Sequence, residues 1–290
     1  MDQSAPQLAF VVVPQWQGSD SARALRLVDG ALAIAGDLPS RATVVVDVPA
    51  EAGDALGTPV HRLSAIQEVA ARHREALAAA PGIPVTIGGD CGVALGAVSH
   101  SIAHADDVAV VWFDAHPDLN TPDSSASGAF AGMVLRTLLG DGHASLVPAT
   151  PLAPGRVVLA GARSFDPEEV EAIERLGITV VAPPAFGDQD AVAAWPAAVA
   201  ARVAATGASR VHVHVDVDVH DPADFSAKST PVPFGVPAAA VVGAVRAVLE
   251  QTELAGASIA EFAPASPDDV AGDLATILRL IGALLSGTHR

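Results

Sequence analysis

Residues 211–220 read Val-His-Val-His-Val-Asp-Val-Asp-Val-His, with valine at every odd position and a possible metal ligand at every even one. On a β-strand that period sends all the polar side chains to one face and the valines to the other. Threonine, serine or lysine there would simply make the wet side of an amphipathic strand. Aspartate is disfavoured in strands, however, and Asp216 and Asp218, two residues apart on one face, repel each other at close range. A positive charge is therefore expected between them. Asp221-Pro222 stops the run, which sets both carboxylates at the C-terminal end of the strand, where open α/β sheets bind their ligands.

Other apolar, β-branched runs mark strands over 8–13, 43–48, 83–87, 108–113, 156–160, 178–181, 210–217 and 257–261. Ala-, Leu- and Arg-rich segments with helical spacing lie between them, over 20–35, 63–80, 93–103, 128–139, 167–176, 191–205, 238–250 and 270–284. This alternation predicts an α/β protein with a mostly parallel sheet covered by helices on both faces. No composition break interrupts it, so the expectation is a single domain over 1–290. Two long segments without periodicity, 114–127 and 220–237, each follow a strand that is dense in ligand-type residues. Long loops of this kind tend to carry function.

Composition narrows the partners. The chain has a formal net charge of -17 and one lysine, Lys228, so it repels phosphate backbones and anionic lipids, and neither nucleic acid nor membrane is expected as a partner. One cysteine, Cys91, excludes an intrachain disulfide and suits a reducing compartment. No basic segment precedes the short apolar run over 8–13, and no apolar stretch is long enough to span a bilayer. A cytoplasmic protein is the resulting expectation.

Four strand ends hold most of the plausible chemistry. Ile87-Gly88-Gly89-Asp90-Cys91 places a thiol near a helix N-terminus, where the dipole favours thiolate; the alternative is an inert buried cysteine. Asp114, His116 and Asp118 follow a strand at i, i+2 and i+4, so an extended backbone would aim all three the same way; the alternative is a set of turn caps. His212 and His214 lie deeper along their strand and read as core histidines with hydrogen-bonded partners. Glu261 closes an apolar strand, either as a cap or as an acid facing a substrate. Asp114, His116, Asp118, Asp216, Asp218 and Cys91 contain too many acids for one four-coordinate zinc. They suit a pair of harder divalent ions bridged by carboxylates, and mixed oxygen and imidazole ligation points to manganese. The soft thiolate of Cys91 pulls instead toward zinc or iron.

In these residues the chain resembles the ureohydrolase (arginase and agmatinase) family, from about Ile83 to Pro264. The match rests on Asp-Ala-His-x-Asp at 114–118 and Asp-x-Asp-x-x-Asp-Pro at 216–222. The resemblance implies a three-layer αβα fold with a parallel eight-stranded sheet, two Mn2+ ions, and hydrolysis of a guanidino carbon by hydroxide. It also implies a homo-oligomer, a trimer or hexamer. Asp114 and Asp216 would bridge the ions, Cys91 and Asp118 would complete one, and His116 and Asp218 the other. Asp118 would also handle the proton of catalysis. Asn120 and Ser127 match positions that hold an amino-acid carboxylate, Asp166 and Glu169 those that hold an α-amino group, and Thr230 and Glu261 those that face the guanidino group. Read without the family, 166–169 is an N-cap and an acidic first helical turn.

Three positions depart from the family pattern. Cys91 stands where Gly-Gly-Asp-His has histidine, the segment Ser-Gly-Asn-x-His reads Ser127-Gly128-Ala129-Phe130-Ala131, and the serine of Ser-x-Asp-x-Asp is His214. Alanine at 131 transfers no proton, and general acid-base catalysis typically contributes ~10²–10⁴-fold. A cysteine ligand together with a small residue at 131 is similar to the branch that hydrolyses Nω-hydroxy-L-arginine to hydroxyurea and ornithine. Arginase, agmatinase, guanidinobutyrase or formiminoglutamase activity, and a catalytically silent member of the family, remain the alternatives.

Overall fold

The structure of the chain is a computed structural model that describes residues 7–105, 107–266 and 270–287. Eight strands form one sheet: β1 (Leu8–Val13), β2 (Thr43–Val45), β3 (Ile83–Gly88), β4 (Val108–Phe113), β5 (Val157–Ala160), β6 (Thr179–Val181), β7 (Arg210–Asp216) and β8 (Glu253–Ala260). All pairings are parallel, in the order β2-β1-β3-β8-β7-β4-β5-β6. Among the described residues eight helices connect or follow them: α1 (Arg26–Gly36), α2 (Leu63–Ala78), α3 (Ala94–His104), α4 (Val134–Leu138), α5 (Pro167–Leu176), α6 (Gln189–Ala205), α7 (Ala238–Leu249) and α8 (Val270–Ser286). The three-layer αβα architecture and the parallel eight-stranded sheet are as expected from the sequence.

Strand alternation divides the core into two layers. Val111 and Phe113 of β4 and Val211, Val213 and Val215 of β7 pack against α1, α6, α7 and α8. Val110 and Trp112 face the opposite way, against residues of α2, α3, α4 and α5. Central strands are therefore covered on both faces, which is why their sequences are almost continuously apolar. The same cover buries the polar face of β7, as expected for His212 and His214. That face lies under α3, so His212 and His214 are 1% and 0% exposed and must find partners inside the protein.

The boundaries differ from the sequence reading where pairing overrides propensity. β2 sits at the sheet edge and pairs only with β1 over Thr43–Val45, so it stops short of 48. β8 begins at Glu253 rather than 257, because β7 pairs with it from Arg210 onward, past a bulge at Val211/His212. Gly256 lies in that added segment, and a Cβ there would come within 2.6 Å of Ser101 Oγ on α3. The helix expected over 20–35 starts at Arg26, and that over 128–139 is a 3-10 turn, Ala131–Met133, followed by α4. Among the described residues no helix is long and apolar enough to cross a membrane.

The sheet order has one consequence for chemistry. Strands β3, β8, β7 and β4 are neighbours although β8 and β7 come last in the chain. The order of the sheet reverses here, and the carboxyl ends of four adjacent strands open onto one place.

Candidate metal centre

At the end of β4 the backbone bends sharply instead of staying extended. Asp114 Oδ1 accepts from the His116 amide at 2.7 Å, and Asp114 Oδ2 accepts from the Trp112 indole at 3.1 Å. Asp118 adopts a φ of 52°, so the expected i, i+2, i+4 alignment is replaced by a loop that turns each side chain separately. The residues still converge. His116 Nδ1 lies 2.8 Å from Asp218 Oδ2 and 3.6 Å from Asp114 Oδ1. Burial opposes the charged imidazole, but the two carboxylates overcome that effect and push His116 up to about 12. This imidazolium is a counter-ion to the two carboxylates. Burial also opposes ionisation of Asp218, yet hydrogen bonds from His116 and the Ala115 amide (2.9 Å) leave its pKa lowered.

The strand β7 stops at Asp216, and Val217–Val219 form a 3-10 turn. The alternation expected through 220 therefore holds only to 216, because Asp216 Oδ1 caps the turn by accepting from the Asp218 amide at 2.7 Å. Asp218 still reaches the site through this turn. His220 does not: it is fully buried, stacked 5.3 Å from the Phe225 ring, and its carbonyl accepts from Lys228 Nζ at 2.6 Å. Arg163, which the sequence gave no reason to single out, holds the turn in place. Its guanidinium donates to the carbonyls of Asp218 (2.9 Å), Val219 (3.2 Å) and Val232 (2.8 Å).

The ends of β3 and β8 supply the remaining groups. Asp90 is buried and accepts from Gln15 Nε2, the Gly18 amide and the Gly92 amide, each at 2.8 Å, which fixes the turn that carries Cys91. A Cβ at Gly89 would sit 1.7 Å from the Gln15 carbonyl oxygen. Gly89→Ala is accordingly expected to lower stability by at least ~2 kcal/mol through overpacking, read as a shift in the denaturation midpoint.

Cys91 Sγ donates to Asp216 Oδ2 at 3.1 Å, and the Cys91 amide donates to Glu261 Oε1 at 3.2 Å. Burial, then Asp216, Asp118, Asp114 and Glu261, raise the thiol well above its usual value. The thiolate expected from the helix dipole is thus overruled in the bare protein, because the acids outweigh a partial charge. Glu261 has a φ of 67°, and its Oε2 accepts a short hydrogen bond from Ser229 Oγ. Ser229, which the sequence did not single out, is the hydroxyl on this acid. Its adjacency is invisible in sequence because 32 residues separate the pair.

The remaining acids are held in a state that invites cations. Burial first, and neighbouring carboxylates second, raise Asp114 to about 7 and Glu261 to about 8, and raise Asp118 and Asp216 well above the usual carboxylate range. Asp118 Oδ2 is buried with no hydrogen-bond partner among the described residues. Donor atoms lie within 4.8 Å of one another in three overlapping groups: Asp114, His116 and Asp218; Cys91, Asp216 and Glu261; and Cys91, Asp114 and His214. Asp118 joins none of them at that distance but lines the same cleft. Oxygen, nitrogen and sulfur donors around an excess of buried acid fit divalent cations.

Above this floor is a cleft of about 300 Å³ that also meets Asn120, Ser127, Asp166, Glu169 and Thr230, so every substrate-side position proposed from sequence reaches it. Asn120 Nδ2 donates to Asp166 Oδ2 at 2.8 Å. Glu169 does local work first: its two oxygens accept from the Leu119 amide (3.0 Å) and the Asp166 amide (2.9 Å), bracing the Asp118 loop against α5. Ser127 and Thr230 are exposed at the rim. Ala131 lines the cleft with only a methyl group, its amide donating to the Gly18 carbonyl at 3.0 Å.

The fold and this site define a three-layer αβα protein with an acid-rich candidate metal centre at the carboxyl edge of a parallel sheet. The chain belongs to the arginase family, whose family model matches residues 22–279. It is similar to an arginase of Bacillus subtilis, at 35% identity over 157 residues, 53% of this chain and 52% of that protein. The chain thus spans about half the length of the curated relatives it matches. Among solved structures it resembles the arginase of Bacillus caldovelox, with a TM-score of 0.80 and 25% identity over 97% of this chain and 98% of that one. It shares its fold with Entamoeba histolytica arginase, with a TM-score of 0.84 and 22% identity over 98% and 99% of the two chains.

Proposed function

We propose that this chain hydrolyses a guanidino amino acid at a centre of two divalent cations, manganese by the balance of its donors. The observation that carries this reading is the charge deficit at the four strand ends. Asp114, Asp118, Asp216 and Glu261 are 1 to 7% exposed and face a single imidazolium. When bound, a pair of such cations supplies Lewis-acid activation of water at neutral pH.

The chain's own residues do the rest. Asp114 and Asp216 would serve both cations, with Cys91 and Asp118 completing one and His116 and Asp218 the other. The unpartnered Oδ2 of Asp118 is the free acceptor for a water proton, which it later returns to the leaving amine. Glu261, aligned by Ser229, holds the guanidinium by charge-assisted hydrogen bonds, and Thr230 positions it from the rim. Asp166 binds an α-amino group with Glu169 behind it, while Asn120 and Ser127 receive the carboxylate. These polar groups, lining the same cleft as the acids, favour an amino acid over a bare amine such as agmatine.

Within that class we favour Nω-hydroxy-L-arginine over L-arginine, giving ornithine with hydroxyurea rather than urea. Alanine at 131 leaves the cleft without a proton-carrying side chain at that position, and the N-hydroxyl group lowers the basicity of the guanidino group and eases attack on its carbon. Metal analysis and turnover after manganese loading test the reading. Two equivalents per chain with guanidino hydrolysis support it, and absence of metal uptake identifies a silent family member instead.

The bare centre also predicts a pH dependence. Burial lowers His212 and His220 to about 3 and His214 well below its usual value, so these groups disfavour folding at acid pH, and that penalty disappears as pH rises to their unfolded value of 6.5. Above 6.5 they no longer contribute. From there to about 8 the folded chain holds protons on Asp114, Glu261 and His116 that the unfolded chain has released. Rising pH therefore destabilises the metal-free protein over that window. Its melting temperature is expected to fall from pH 6.5 to 8, and manganese to raise it more at pH 8 while releasing protons into a weakly buffered solution. A flat or rising profile for the metal-free protein contradicts the charge deficit.

A further inference from the structure

His214 is buried on the polar face of β7, its ring 3.7 Å from that of Trp112 between centroids, and it ends a chain of hydrogen bonds that starts on α3. Ser101 Oγ donates to the Ala97 carbonyl at 3.3 Å and lies 2.8 Å from His212 Nδ1. Having spent its proton on the carbonyl, Ser101 accepts from His212 Nδ1–H. His212 Nε2 is then an acceptor and takes the proton of Ser258 Oγ, 3.1 Å away. Ser258 in turn accepts from His214 Nδ1–H at 2.8 Å. The chain of donors leaves His214 Nε2 as a bare lone pair.

That lone pair points into the centre. Nε2 lies 3.6 Å from Cys91 Sγ, and the donor atoms of Cys91, Asp114 and His214 fall within 4.8 Å of one another. The Cys91 proton is directed to Asp216. Resting on the binuclear reading above, we infer that His214 is itself a metal ligand, donating Nε2 to the cation at the Cys91 end. The departures at 91 and 214 are then one change: an imidazole is withdrawn from the end of β3 and supplied from the neighbouring face of β7, with the Ser258-His212-Ser101 chain holding its tautomer. The cation at that end keeps a nitrogen donor beside the soft sulfur.

X-ray absorption at the cobalt edge tests this on the protein loaded with Co2+ alone. Outer-shell scattering counts imidazoles directly, and wild-type protein is expected to show two per metal pair, from His116 and His214. His214→Gln is expected to show one and to weaken one of the two ions by at least ~10-fold in a calorimetric titration. His212→Gln, which disturbs only the supporting chain, is expected to keep two. A count of one in wild type, or an unchanged count in His214→Gln, overturns the inference. If His214→Gln fails to fold, the wild-type count decides. Absence of cobalt uptake by wild-type protein overturns the binuclear reading itself, which separates the two failures.

Discussion

Asp216→Asn is expected to abolish the paired site and lower turnover of the best guanidino substrate by at least ~10³-fold, the equivalent of several kcal/mol of lost metal electrostatics. Asp216 occupies the centre of the cluster: its Oδ2 is 3.1 Å from Cys91 Sγ and its Oδ1 2.7 Å from the Asp218 amide. Its ionisation is opposed by burial and then by Asp218, Asp114 and Glu261, so the charge it carries is tolerated only with cations present. Asparagine keeps the shape and an oxygen for the Asp218 amide. The Val217–Val219 turn should survive, and the loss should appear in metal content rather than in folding. The metal-free variant should also resist rising pH better than the metal-free parent, since one reluctant carboxylate is gone. Metal analysis, steady-state kinetics and thermal melts at pH 6.5 and 8 measure all three. A variant that retains two metal equivalents and more than a tenth of the turnover would sink the shared role of Asp216.

The second large effect concerns Ala131. The wild-type protein is expected to prefer Nω-hydroxy-L-arginine, and Ala131→His to raise turnover of L-arginine by ~10²–10⁴-fold while changing that of the hydroxylated substrate little. The position lines the same cleft as the acids, and its backbone is anchored by the Gly18 carbonyl. An imidazole there would be carried on a fixed main chain. Arginine has the more basic guanidino group and a poorer path for the departing proton, so it benefits from an added shuttle. The N-hydroxyl group already lessens that need. Comparing kcat for both substrates in both proteins checks the expectation. A wild-type enzyme that clearly prefers arginine rejects it, as does a variant in which both substrates gain equally.

Much of this site is legible in the chain because its signals are local. Asp114, His116 and Asp118 occur within five positions directly after an apolar strand, and Asp216 and Asp218 follow a valine alternation that has few other physical meanings. Three features were out of reach or read differently. Ser229 aligns Glu261 across 32 residues of sequence, and Arg163 gathers the carbonyls of the Asp218 turn from 55 residues away. Their pairing depends on how loops fold over the sheet, which no periodicity encodes. The even positions of 211–220 look equivalent, yet they separate into the buried histidines His212 and His214 joined through Ser258, the acids Asp216 and Asp218, and the core-packed His220. The strand ends inside the second of these groups, where Asp216 Oδ1 accepts from the Asp218 amide and starts the turn.

The amino-acid sequence by itself determined which segments are strands and helices, that the strands run mostly parallel, and which strand ends gather side chains of metal-ligand type, because β-branched runs, helical spacing and ligand types are properties of neighbouring residues. Only the tertiary structure decided that β8 and β7 slot between β3 and β4. That insertion brings Cys91, Glu261, Asp216 and Asp114 to one edge from places up to 170 residues apart. Burial on both faces of the sheet then strips these acids of water. Desolvation at short range, which exists only once the strands are packed, turns a scattered set of carboxylates into a centre that calls for cations.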